Sequence, residues 1–92
     1  MEALGDNLKR LMGLHSLSAR HLAPLIELSP QAISELLAGK RTPHLHTINK
    51  IATFFEIPMG RLLVNPFEDL LATDLADVER FRRVEAKIPP EA

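Results

Sequence analysis

The 92-residue chain contains no cysteine, no tryptophan and no tyrosine, and only four phenylalanines. Without cysteine, disulfides and thiolate metal sites are both ruled out. The staples that many small secreted domains need are missing, which fits a reducing, cytoplasmic setting. With so few aromatics the core must be built from Leu, Ile, Ala and Met, which suits packed helices better than strands. No apolar run approaches the roughly 18 residues of a membrane span. The opening Met1-Glu2-Ala3-Leu4-Gly5-Asp6 also lacks the basic and apolar regions of a secretory signal. Nor is there an excess of positive charge. The formal net charge is −1, which on its own speaks against a nucleic-acid partner.

What is there is ordinary in amount and informative in arrangement. Hydrophobic residues make up 46%, too many for a disordered chain, and the length suits one domain or one domain plus a tail. Charge is unevenly spread. Residues 1–64 carry seven Lys/Arg against five acids, and residues 65–92 four against seven. Affinity for DNA depends on the face presented to phosphate rather than on the whole-chain total.

Apolar spacing marks out the helices. Leu4, Leu8, Leu11 and Met12 form one stripe, with Asp6, Asn7, Lys9 and Arg10 on its wet side and Gly13 at its end. A helix start follows at Leu17-Ser18-Ala19, where Ser18 caps and Leu17 staples to Leu22. Eleven residues on, the signal repeats: Ser29 caps, Pro30 takes the first helical place, and Leu28 staples to Ile33. Gly39 supplies a left-handed end. Two starts this close predict a first helix of seven or eight residues, a tight turn and a second helix near 30–38, which is helix-turn-helix geometry. Leu45, Ile48, Ile51, Ala52 and Phe55 predict a fourth helix. Pro58 opens a short fifth with Met59, Leu62 and Leu63. Asn65-Pro66-Phe67-Glu68 is a further cap signature, and no Gly or Pro interrupts residues 67–88 before Pro89-Pro90. That stretch reads as one helix or two.

From Leu17 to Pro43 the chain resembles the lambda-repressor-like (Cro/Xre-type) helix-turn-helix family. With the twenty-residue motif counted from Ala19, its apolar places hold Leu22, Ile26, Leu28, Ile33 and Leu36, and its small-residue place holds Ala23. Gly39-Lys40-Arg41-Thr42-Pro43 matches the family's G-K-x-x-P loop, and Leu45 to Leu63 looks like its last two helices. The resemblance covers residues 4–64. It implies an all-α, five-helix DNA-binding domain at 1–64, followed by a helical extension at 65–92. Some places depart from the pattern. Glu27 and Glu56 stand where the family has glycine, which predicts wider or differently built turns because a positive φ strains Glu. Pro24 inside the motif's first helix predicts a kink. Met12 and Leu37 occupy the places of a buried Arg–Glu pair, an exchange the fold tolerates.

A recognition helix enters the major groove N-terminus first. Since Ile33, Leu36 and Leu37 face the core, Gln31, Ala32, Ser34 and Glu35 remain as base-reading candidates. Gln pairs with adenine, Glu accepts from cytosine, and Ala meets a thymine methyl. The resemblance puts Gln31 and Glu35 at the principal base-reading places. The plain alternative is a solvated Gln31 beside a cap and a Glu35 repelled by phosphate. Phosphate contacts fall to Ser18, Arg20, Ser29, Lys40, Arg41 and His44, with helix N-termini assisting. Lys40 and Arg41 read equally as solubilising loop charges. His44 and His46 are far short of a metal site, and Asp6, His15 and Ser16 make no triad. Arg80, Arg82 and Arg83 are expected to pair within their helix with Asp77 and Glu79. No enzyme activity, metal or cofactor is expected.

The extension carries Phe67, Leu71, Leu75, Val78 and Phe81, apolar surface that needs a partner. It pairs with a second copy or folds back on its own domain. The reading followed here is a homodimer with a frayed C-terminal end. The expected function is a cytoplasmic, dimeric transcriptional regulator, a repressor that binds double-stranded DNA. The alternatives are the DNA-binding antitoxin of a toxin–antitoxin pair, whose extension grips a protein partner, and an interaction module that has lost DNA binding.

Overall fold

In the computed structural model, which describes residues 2–64 and 75–90, the leucine stripe of the first segment folds as α1, Glu2–Leu14. Then come α2 (Ala19–Leu22), a 3-10 turn (Ala23–Leu25), α3 (Pro30–Leu37), α4 (Leu45–Phe55), α5 (Met59–Val64) and α6 (Leu75–Ala86). The described residues are all-α, as composition and periodicity predict. Leu8, Leu22, Ile33, Ile48, Ile51, Phe55 and Leu62 lie fully buried in one core to which α1–α5 all contribute.

The motif's first helix is split at Pro24. The ring cannot donate its backbone hydrogen bond, so the α-helix stops after Leu22 and a 3-10 turn containing Pro24 completes the segment. Met12 is buried and Leu37 packs at the core's edge, so apolar contact does fill the place of the ion pair.

Four reversals share one closure. After α1, the 3-10 turn, α3 and α4, a single left-handed residue turns the chain: Ser16 (φ 54), Glu27 (φ 56), Gly39 (φ 70) and Glu56 (φ 55). Each time the next N–H reaches back five residues, as in Leu17 to Met12 (2.8 Å), Leu28 to Ala23 (3.0 Å), Lys40 to Glu35 (3.0 Å) and Ile57 to Ala52 (2.9 Å). This is the Schellman motif. The expectation of differently built turns at Glu27 and Glu56 is therefore overturned. Both glutamates adopt the left-handed conformation, at a cost of about 1 kcal/mol each. What outweighs the strain is the satisfied carbonyls and the apolar residue that follows each one, Leu28 and Ile57, both held against the core. Gly13 does not end α1; it lies inside the helix, and Ser16 makes the turn.

Asn7 is a second correction. It is not on the wet side but 1% exposed, with its Nδ2 donating to the Leu62 carbonyl at 2.8 Å. That bond ties α1 to the last turn of α5. Gly5 lets α1 cross the end of α3 closely. A Cβ there would sit 2.9 Å from the Leu36 carbonyl oxygen, a backbone atom that cannot step aside cheaply.

The helix α6 folds back on the domain. Val84 is buried in the common core and Ile88 packs against it. Around Val84, Glu85 hydrogen-bonds the buried His15 at the end of α1, and Phe81 stacks on the His15 ring with centroids 4.6 Å apart. Among the described residues Arg83 pairs outside its own helix. Its Nε meets Glu56 at 2.7 Å. Lys87 completes the clasp, donating to the carbonyls of Thr53 (3.2 Å) and Phe54 (2.8 Å) and facing Glu56 at 3.3 Å. An ammonium at the C-terminus of α4 gives the Phe54 carbonyl a donor and adds a second to that of Thr53, which also accepts from the Glu56 N–H, and the helix dipole favours it.

Candidate nucleic-acid interface

The two capping serines set the geometry. Ser18 precedes α2 in extended conformation (φ −87, ψ 165) and its Oγ accepts from the His21 N–H at 3.2 Å. The same oxygen lies 2.9 Å from His21 Nδ1. Ser29 does the same work for α3 (φ −77, ψ 153), accepting from the Ala32 N–H at 3.0 Å, with Pro30 in the first turn. Each hydroxyl uses a lone pair in capping and keeps its proton to offer a neighbour.

From Ser29 onward the two sides of α3 separate cleanly. Ile33 and Leu36 are buried, whereas Gln31 and Ser34 are exposed and Glu35 is partly so. Their i, i+3, i+4 spacing puts these three on one face of the helix. Ala32 leaves the set. At 6% exposure it is buried. It offers no methyl to a groove.

Arg20, Lys40 and Arg41 are exposed. Gly39 turns the chain back over the end of α3, and Arg41 Nη1 thereby comes within 3.4 Å of Glu35 Oε1, both side chains being roughly half exposed. From sequence alone the two have separate tasks, one on phosphate and one on a base. Nothing in their six-residue spacing across a loop signals the pairing.

His44 caps α4 with its backbone only (φ −73, ψ 155), with no side-chain hydrogen bond to the first turn. Leu45, expected in the core, is 68% exposed. It is the first residue of α4, and helical side chains lean toward the N-terminus, so it projects past the packed turns. The signal was its place at the helix start rather than its hydrophobicity.

Of the dimerisation candidates, Phe67 and Leu71 lie outside the described residues, and Leu75 opens α6. Val78 and Phe81 are 47% and 38% exposed. Leu14 of α1, also partly exposed, lines a shallow pocket with Phe81.

A family model described as the Cro/C1-type HTH DNA-binding domain matches residues 7–68. Neither the curated proteins nor the solved structures yield a match. Among the described residues no helix is long and apolar enough to cross a membrane.

Proposed function

The chain belongs to the Cro/C1-type helix-turn-helix DNA-binding family, and from that membership we propose that it binds double-stranded DNA sequence-specifically as a dimeric transcriptional repressor, with α3 in the major groove. The observation that carries the reading is the outward face of α3. Gln31, Ser34 and Glu35 stand clear of the core while Ile33 and Leu36 anchor the helix beneath them. Gln31 is suited to the two adenine edge groups, Ser34 to either partner of a base pair, and Glu35 to a cytosine amino group. Ser18, Arg20, Ser29, Lys40, Arg41 and His44 supply the flanking phosphate contacts.

One such module buries a small interface, and pairing two half-sites is how specificity is raised. The surface favouring a second copy is the edge of the docked face of α6, where Val78 and Phe81 stay partly exposed although Phe81 stacks on His15, with Leu14 nearby. Selection of fragments from random genomic DNA at graded salt tests the whole reading. The expected result is a two-fold site with half-sites about one helical turn apart. Equal retention of all fragments would refute sequence-specific binding. Because α6 contributes Val84 to the core, the dimer is tested by Val78→Glu rather than by truncation. That variant should sediment as a monomer at roughly tens of micromolar and lose affinity for the two-fold site while staying folded.

The same apolar patch favours a second reading, in which it grips a different protein, as in an antitoxin. A wild-type chain that sediments as a monomer, yet reads a single half-site, selects this reading over the dimer.

A further inference from the structure

We propose that the Glu35–Arg41 ion pair makes the phosphate contact of Arg41 conditional on the base pair that Glu35 meets. The inference rests on the reading that α3 enters the groove, and it adds a coupling between two contacts otherwise counted separately. Gly39 in its left-handed conformation, with Lys40 N–H bonded to the Glu35 carbonyl, folds the loop over the last turn of α3. Arg41 then lies against Glu35 at 3.4 Å, and among the described residues neither side chain has a second ion-pair partner.

In free protein, Glu35 thus holds the guanidinium that phosphate would take. Both groups are half exposed, and a pair of that kind is worth at most about a fivefold bias. It is weak enough to be exchanged. When Arg41 moves to a phosphate, the Glu35 carboxylate loses its cation beside a polyanion, and that loss opposes the gain. A cytosine amino group at the edge of the groove restores a donor to Glu35, and a matched base-edge contact is worth about five- to a hundredfold. Where the base pair offers no donor, Arg41 stays more often on Glu35 and contacts the phosphate less. A contact to the sequence-blind backbone becomes a report on sequence. Lys40, next to Arg41 but outside the pair, makes no such exchange.

The test is a titration of the full chain on the selected site and on a random fragment, each at about 50 and 200 mM salt. One phosphate contact changes the loss of affinity between those salts by about three- to fourfold. Arg41→Ala should reduce that loss by this factor on the selected site and by clearly less on the random fragment. Glu35→Gln frees Arg41, and should increase the loss on the random fragment by up to the same factor, narrowing discrimination between the two DNAs. Equal reductions on both DNAs for Arg41→Ala would overturn the coupling, as would an unchanged random fragment for Glu35→Gln. Lys40→Ala should reduce the loss on both. If it does so on neither, the loop does not face phosphate, and the docking geometry fails together with this inference.

Discussion

The polar side chains around α3 and those around α6 are treated in opposite ways by the same small fold. Near α6 a set of polar groups is committed within the chain. His15 holds Glu85, Glu56 holds Arg83 and Lys87, and Lys87 serves two carbonyls of α4. Near α3 the groups are left available. Gln31 and Ser34 face solvent, and Arg41 reaches Glu35 at a distance that scarcely makes a hydrogen bond. The first arrangement adds stability, whereas the second keeps donors and acceptors ready for something outside the chain.

Substitution on each side should expose the contrast. The largest effect is expected from Val84→Asp, which puts a carboxylate into the apolar core and should destabilise by about 3 kcal/mol. Chemical denaturation would measure it. A loss below about 1 kcal/mol would show that α6 rests on the surface without sharing the core. On the other side, Gln31→Ala should cost about 1–3 kcal/mol of binding to the selected site, nothing on random DNA and nothing in stability. Equal losses on both DNAs would remove it from base reading.

Glu56 gives a finer division. Alanine there keeps the left-handed strain and loses Arg83 and Lys87, for an expected loss of about 0.5–1 kcal/mol. Glycine loses the same partners but relieves the strain, and should come out near neutral. The smallest expected effect is in pH. Arg83, by its hydrogen bond, and then Lys87 hold the Glu56 carboxyl below its ordinary value of 4.5. A depressed folded-state pKa favours the folded form once the group is ionised. Its contribution is therefore complete above the unfolded value and lost as pH falls from about 4.5 through the folded value. Glu56→Gln should flatten the stability profile in that acidic range and leave it unchanged near neutrality.

How much of this could be read in advance depends on the range of the forces. Ser18, Ser29, Pro30 and Gly39 act on their own helix ends, so the caps and the turn were legible from a few residues. The stripe Leu4–Leu8–Leu11 was legible for the same reason. Asn7 was not, because its partner is a carbonyl 55 residues away. Glu27 and Glu56 misled because a local φ preference of about 1 kcal/mol yields to a closure anchored by the following apolar residue. The amphipathic pattern of α6 announced a buried face without saying what would cover it. At α3 the pattern sorted Ile33 and Leu36 from Gln31, Ser34 and Glu35, but a residue as small as Ala32 carries little periodic signal.

The clasp between His15 and Glu85 spans 70 residues of chain, and this has a kinetic consequence. Closing a loop of that length costs entropy before the contact repays it, and of the described side chains of α6 only Val84 is buried in the core. The docking of α6 is then expected to be the first contact to reverse. During synthesis α3 is complete while Arg83, Val84 and Lys87 are still to be added. In hydrogen exchange, the amides of α6 should open as a unit ahead of those of α1 and α4, through an excursion that leaves α3 intact.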